Sequence, residues 1–388
     1  MKHFSHLNTA AEIIGKYSGN LPFHLFIKDF FRQNKKYGSR DRKQITHLCY
    51  CYFRCGQAVK NKPLQQGITE ALFLCSDQNN ELLAAVQPVW NENVHASIKE
   101  KCALLNIPPD LHIFSFAAEL SNGINANDFN RSHLIQPGVF IRIRPGYLQT
   151  VSNKLEQAGI AFTLLQSHCI SLPASLKIDE LLQVNKEAVI QDYSSQRTGE
   201  FMQLLTAVRP GFNVWDCCAA SGGKSIMAKD ILGDINLTVS DIRPAVLNNL
   251  KKRFSEAGIT NYRISADDLT RPVTNHPKNG FDFIIADVPC TGSGTWGRTP
   301  ERLSFFHEKE IDSYTRLQKK IVTTALHCLQ SGGYFLYITC SVFKKENEDM
   351  AGFIQTNLSA SLVKMEVLEG YNLKADTMFA ALFKKSMQ

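Results

Sequence analysis

The sequence predicts an α/β protein: a parallel, doubly wound sheet in the carboxyl-terminal half, a small α/β unit before it, and a helical region at the amino end. Three observations carry this expectation. From about residue 200 onward, hydrophobic runs that read as strands alternate with helix patterns, as a parallel sheet with crossover helices requires. Residues 1 to about 130 place apolar side chains at helical spacing and show few strand-like alternations. Between them, the dipeptide Pro137-Gly138 breaks the pattern.

In the amino-terminal region, Phe23, Phe26, Ile27, Phe30 and Phe31 make one helical face. A second helix is expected to open at Ser39, whose hydroxyl can cap the turn before Arg40-Asp41-Arg42, and to carry Ile45, Leu48, Cys49 and Tyr52 inward. Cys49, Cys51 and Cys55 fall in this pattern. Positions two and six apart do not converge on one helix face, and no His/Cys pair at zinc-ligand spacing follows, so these read as core thiols.

Past Pro137-Gly138, residues 139 to 143 read as a strand, 148 to 158 as a helix closed by Gly159, and 160 to 165 as another strand. In the large sheet, strand one is residues 213 to 217, followed by a small-residue turn and a helix from Lys224. Strand two, 237 to 240, ends at Asp241, and Pro244 opens the next helix. Strand three is 262 to 265 with Asp267 just beyond. Strand four is 281 to 286 with Asp287 at its tip. A helix from about 308 to 329 ends at Ser331-Gly332-Gly333, and strand five runs from 334 to 339.

At 388 residues the chain is long enough for two or three domains with their own cores. Its apolar stretches are far short of a membrane span, and Met1-Lys2-His3-Phe4-Ser5-His6 does not read as a leader, so a cytoplasmic protein without membrane association is expected. Eleven cysteines at irregular spacing argue for free thiols. The net charge of +7 permits nucleic acid, with the densest basic cluster at Arg32, Lys35, Lys36, Arg40, Arg42 and Lys43.

Two thiols stand apart from the other nine: Cys290 in Asp287-Val288-Pro289-Cys290 and Cys340 in Thr339-Cys340-Ser341 each follow a strand, on the side where open α/β sheets bind ligands. The loop Asp216-Cys217-Cys218-Ala219-Ala220-Ser221-Gly222-Gly223-Lys224-Ser225 contains Gly-Lys-Ser but has Cys218 where a nucleotide triphosphate loop needs its first glycine. What remains is a small-residue turn into a helix amino terminus, suited to a carboxylate-bearing ligand. Asp241 stands where a ribose is held, and Asp267 can reach an adenine amine. The run from Gly292 to Gly297 satisfies G-x-G-x-x-G formally, but leads to Pro300 rather than to a clean helix and is set aside.

In a strand order such as 3-2-1-4-5, strands four and five are neighbours and Cys290 meets Cys340 beside the loop after strand one. Two thiols, Asp287 and a nucleoside cofactor suit methyl transfer to a pyrimidine carbon. A thiolate added at ring position 6 makes position 5 nucleophilic, and a base must then remove the position 5 proton before the thiol leaves. Which thiol attacks is left open by these residues.

The sequence resembles the RNA 5-methylcytosine methyltransferases of the RsmB/Nop/Sun family. The matching signatures are Gln191-Asp192 with Ser195-Gln196, Cys218 to Lys224, Asp287 to Gly294, and Thr339-Cys340-Ser341 with Glu346-Asn347. The resemblance implies a Rossmann-like catalytic domain over 196–388, with S-adenosylmethionine as donor and Cys340 as nucleophile. Cys290 would assist release of the product. Cys218, Ala219, Ala220, Ser221, Gly222, Gly223, Asp241 and Asp267 would hold the donor, with Lys224 and Asp287 near both donor and cytosine. No metal is implied. Residues 1–130 resemble a NusB-like RNA-binding domain, chiefly through Ser39-Arg40-Asp41-Arg42, and 138–195 a small RRM-like unit. Ser221 replaces the family's usual proline, Trp296-Gly297 stands where basic residues are common, and Asp376-Thr377 replaces an Asp-Gly. The expected substrate is structured RNA, small-subunit ribosomal RNA first, acted on by a monomer. The alternatives are the same reaction on tRNA, or a ribosome assembly factor that binds RNA without catalysis.

Overall fold

The computed structural model describes residues 2–387 except 167, 174–175, 206–208, 274–276 and 278–279. The chain divides into two units. The first comprises residues up to Ala118 together with Asn125–Gln136 and Thr295–His307; the second comprises Glu119–Ile124, Pro137–Gly294 and the chain from Glu308 onward.

The first unit is helical because its apolar residues recur at helical spacing. In the helix Phe23–Gln33, Phe23, Ile27 and Phe31 are buried, four residues apart. Phe26 and Phe30 are only half-buried. The helix Ser39–Arg54 buries Ile45, Leu48, Cys49 and Tyr52. Its start departs from expectation, since Ser39 is the first helical residue and not the cap. The Asp41 carboxylate, three residues past Gly38, reaches back to accept the Gly38 amide at 3.3 Å.

Cys49, Cys51 and Cys55 are buried free thiols. Cys75, at the end of the helix Leu64–Cys75, lies beside Cys51 and Cys55 and donates its thiol to Cys51 O at 3.8 Å. Among the described residues no group of side chains could hold a metal ion. Trp296 is a core residue of this unit, with its ring 4.8 Å from Phe306 and 5.7 Å from Phe114. Beside it the buried Arg54 guanidinium donates to the carbonyls of His133, Ile135 and Gly297 at 3.3, 3.2 and 2.8 Å.

The second unit holds two sheets. The smaller consists of β1 (Val139–Ile143), β2 (Thr163–Leu165), β3 (Cys169–Leu172) and β4 (Ala188–Ile190), in the order β2-β3-β1-β4. The expected strand from 160 is shorter than predicted. Ile160 and Phe162 pack on the small core without joining the sheet.

The larger sheet contains β5 (Phe212–Asp216), β6 (Ile235–Ser240), β7 (Tyr262–Ser265), β8 (Phe281–Asp287), β9 (Leu329–Thr339), β10 (Ala360–Leu368) and β11 (Met378–Lys385). Its order is β10-β11-β9-β8-β5-β6-β7. Five strands are parallel, and the β10–β11 hairpin extends the sheet antiparallel to β9. Residues 283 to 286 of β8 are apolar in succession because both faces of the strand are covered. Phe283 and Ile285 enter the core on one side, and Ile284 and Ala286 the core on the other.

β9 starts five residues earlier than expected. Gly332 and Gly333 lie inside it, with Gly332 at φ +73° and a register shift against β8, so the glycines make a bulge and not a helix stop. No described helix is long and apolar enough to cross a membrane.

Candidate active site

The site is assembled at the carboxyl ends of the parallel strands, where each chain leaves the sheet and its side chains are no longer needed for packing. After β5 the chain turns through left-handed backbone at Ala220 (φ +46°) and Gly222 (φ +83°). A Cβ on Gly222 would lie 2.6 Å from the Phe254 ring, so only glycine fits there. The loop is pinned to the tip of β6: Ala219 donates its amide to Ser240 O at 2.9 Å, and Ala220 donates to Asp241 Oδ2 at 3.0 Å.

Two cavities flank this loop. One, of about 400 Å³, is lined by Cys218, Ala220, Asp241, Asp267, Asp287, Cys290 and Cys340, with Leu317 and Ile321 as an apolar wall. That size and mixture suit a nucleoside-sized ligand. The other, of about 320 Å³, is lined by Gln191, Asp192, Ser195, Lys224, Arg253, Asp287, Cys340 and Asp376. Cys218, Ala220, Asp287 and Cys340 face both.

The seven residues 218 to 224 do not act as one cradle. Cys218 and Ala220 line the first cavity, while Ala219, Ser221, Gly223 and Lys224 line only the second, and Gly222 lines neither. Reversal of the chain at Ala220 and Gly222 sends successive residues to opposite sides.

Asp241 is buried and already engaged. Arg243 donates to it through Nε at 2.9 Å and Nη2 at 3.0 Å, which with the Ala220 amide keeps its pKa below the usual carboxylate value despite burial. The sequence reasoning missed Arg243, although its position two residues past an acidic strand tip was a visible signal. Asp267 accepts the Ser265 hydroxyl at 2.6 Å. In place of the usual proline, Ser221 accepts Arg253 Nη1 on its hydroxyl at 2.7 Å, which fixes that guanidinium at the wall of the second cavity.

Lys224 Nζ donates to Asp287 Oδ2 at 2.7 Å and to Ser195 Oγ at 3.3 Å. Burial alone would lower the Lys224 pKa, but the Asp287 carboxylate outweighs it, and the net direction is upward. Asp216, at the end of β5, accepts the Ser225 hydroxyl at 2.6 Å, and burial pushes its pKa up to about 7.

The two thiols meet as the strand order predicts. Cys290 Sγ lies 3.3 Å from Cys340 Sγ. The loop carrying Cys290 is held against the end of β9 by the Val288 amide on Ile338 O at 3.1 Å and the Gly294 amide on Cys340 O at 2.9 Å. A Cβ on Gly294 would come within 1.8 Å of Thr377 O, so this approach requires glycine. The Thr377 amide in turn donates to Gly294 O at 3.0 Å. Cys290 is held well above the usual thiol range, first by its hydrogen bond with Cys340, then by burial and by the charges of Cys340 and Glu346.

Residues 202–385 match the family described as 16S rRNA methyltransferase RsmB/F. A ribosomal RNA small subunit methyltransferase B of Xanthomonas campestris is 28% identical over 173 residues, which is 44% of this chain and 39% of that protein. The mouse tRNA (cytosine(72)-C(5))-methyltransferase NSUN6 is 30% identical over 157 residues, covering 37% of this chain and 32% of its own. The chain thus spans less than half the length of either relative. Among solved structures, PH0851 shares the fold with a TM-score of 0.71 over 99% of this chain and 98% of its own, at 16% identity. The thiol pair, the loop after β5 and the strand-tip acids all lie inside the segment that matches the RsmB/F methyltransferase family.

Proposed function

We propose that this protein methylates carbon 5 of a cytosine in RNA, with S-adenosylmethionine as donor and Cys340 as the covalent nucleophile. The observation that carries this reading is the contact of the two sulfurs at 3.3 Å, with Asp287 and Cys340 facing both cavities at once. The first cavity takes the donor: Asp241 and Asp267 offer acceptors for the ribose hydroxyls and the adenine amine, and Leu317 and Ile321 cover the ring. The second takes the cytosine.

When bound, S-adenosylmethionine would supply an electrophilic methyl. Cys340 Sγ bonds to ring carbon 6, and the electron pair displaced into the ring is stabilised by the Lys224 ammonium, while Asp287 accepts from the exocyclic amine. Once carbon 5 has taken the methyl, leaving S-adenosylhomocysteine, a base takes the carbon 5 proton, the carbon 5–carbon 6 double bond reforms and Cys340 leaves as the thiolate. Cys290, in contact with the departing sulfur, assists this elimination.

The target is RNA, small-subunit ribosomal RNA before tRNA, in keeping with the named activity of the RsmB relatives; the NSUN6 match keeps tRNA as the second reading. The NusB-like region 1–130 and the RRM-like unit 138–195 contact the RNA, and the domain over 196–388 carries the chemistry. The protein works as a cytoplasmic monomer. The Cys340→Ala variant is expected to lose methylation, and Cys290→Ala to accumulate an RNA adduct that survives a denaturing gel. An adduct on the Cys340→Ala protein would reverse the two roles, and no adduct or methylation with any RNA would leave only the assembly-factor reading. Bisulfite sequencing of rRNA and tRNA from a strain lacking the protein identifies the target.

A further inference from the structure

Beneath the thiol pair lies a carboxylate that the reaction above does not use. Glu346 is wholly buried. Its Oε1 accepts the Thr291 amide at 3.0 Å and Gln318 Nε2 at 2.8 Å, and its Oε2 accepts the hydroxyls of Thr291 and Ser341, each at 2.5 Å. Thr291 is the residue after Cys290, and Ser341 the residue after Cys340. One side chain therefore ties together the two loops that carry the sulfurs. Gln318 extends the clamp by donating also to Pro289 O at 3.0 Å, on the other side of Cys290.

All four of these donors are neutral. The nearby cations are engaged elsewhere: Lys345 lies 3.5 Å from Glu119 and 3.6 Å from Asp312, and Lys224 pairs with Asp287. The Ser341 hydroxyl already accepts the Phe343 amide at 3.0 Å, so its proton is available to Glu346. Four donors on two oxygens suit a carboxylate rather than a carboxylic acid. Burial raises the Glu346 pKa, and the Ser341, Thr291 and Gln318 hydrogen bonds oppose that without cancelling it, so the net direction is upward from the ordinary carboxylate value.

We propose that Glu346 is a positioning residue that clamps the Cys290 loop to the Cys340 loop and sets a fixed negative charge on the Cys290 side of the pair. The consequence is an asymmetry between two otherwise similar thiols. The titratable or charged groups around the pair are Glu346 and Tyr337 on the buried side, and Lys224, Asp287 and Asp216 on the cavity side. Cys290 feels the Glu346 carboxylate, whereas Lys224 feels Cys340. A negative neighbour keeps a thiol protonated and a positive one favours the thiolate. A Cys290 kept protonated in this way suits the role in release, and only that point rests on the proposed reaction.

The test uses the full-length protein without RNA or donor, so that an error in the assigned reaction does not affect it. Iodoacetamide labelling of the Cys290 peptide is followed by mass spectrometry across pH. In the native protein, half-labelling is expected well above the ordinary thiol value of about 8.5. Glu346→Gln removes the charge and should move that midpoint down by roughly one pH unit, while Glu346→Asp, which keeps the charge on a shorter arm, should leave it near native. On RNA, both variants should lower kcat about 10- to 100-fold with the KM for S-adenosylmethionine changed far less, because Asp241 and Asp267 keep their places in the first cavity. A native Cys290 that labels at or below the ordinary value overturns the proposal even if neither variant folds. So does a Glu346→Gln protein that melts earlier but titrates Cys290 as the native protein does, which would make Glu346 a packing residue only.

Discussion

Two carboxylates flank the sulfur pair, and they are held in opposite ways. Asp287 sits at the tip of β8, partly exposed, faces both cavities and has a single cationic partner in Lys224 at 2.7 Å. Glu346 is out of solvent and satisfied by four neutral donors. An ion pair at a cavity wall can exchange its partner when a polar ligand arrives, because the released ammonium still finds an acceptor, here Ser195 Oγ at 3.3 Å. A buried carboxylate with every lone pair engaged has no such freedom, since each lost donor would leave an unsatisfied group. The cavity side is thus built to respond, and the side under the loops is built to stay.

The sharpest way to break this contrast is Lys224→Met. If the pair is a working element of the cavities, methylation should fall at least about 100-fold while the donor dissociation constant, measured by calorimetry, changes only a few-fold. Near-native activity would reduce Lys224 to a cover for the first turn of its helix. Asp241→Ala comes next. It should weaken donor binding roughly 10- to 100-fold, as loss of a buried charged acceptor implies. Arg243→Ala should alter it by less than about threefold, because that exposed guanidinium gives up a carboxylate it only borrows. Equal effects would mean that Arg243 itself touches the donor.

The smallest expected effect concerns Asp216. Its folded-state pKa lies near 7, above the ordinary 3.8, so its contribution to stability is complete below about pH 3.8 and is lost as pH rises through 7. Asp216→Asn should therefore raise the melting temperature at pH 8 by about 2–4 °C and leave it unchanged near pH 4, read by scanning calorimetry. A uniform shift at both pH values would remove charge as the cause.

Much of this was legible because it depends on local patterning. β7 was visible as 262 to 265, with Asp267 just beyond it, and the placement of both thiols after strands followed from the apolar runs 283 to 286 in β8 and 334 to 338 in β9. Their meeting followed from topology, because neighbouring parallel strands bring their tips together. The β10–β11 hairpin went unread although residues 360 to 368 alternate, because the parallel pattern draws attention to crossover helices. Other features depend on partners far away in the chain. Cys75 reaches Cys51 from another helix, and the split of 218 to 224 between two cavities arises from backbone φ at Ala220 and Gly222. Trp296 looked like a change in a nucleic-acid surface and is a core residue, because its burial depends on rings more than a hundred positions earlier.

The segment Thr295–His307, which follows the Cys290 loop by a few residues, is counted with the helical unit, and Glu119–Ile124 with the catalytic one. No single cut of the chain therefore yields either unit whole. A fragment begun at Pro137 would carry Trp296, Leu303 and Phe306 as an apolar strap stripped of its packing, and a fragment stopped at Gln136 would lack part of its own interior. Because the two units alternate along the chain, transfer of the helical unit onto another protein would have to carry Thr295–His307, a stretch from the middle of the other unit's sequence, along with it.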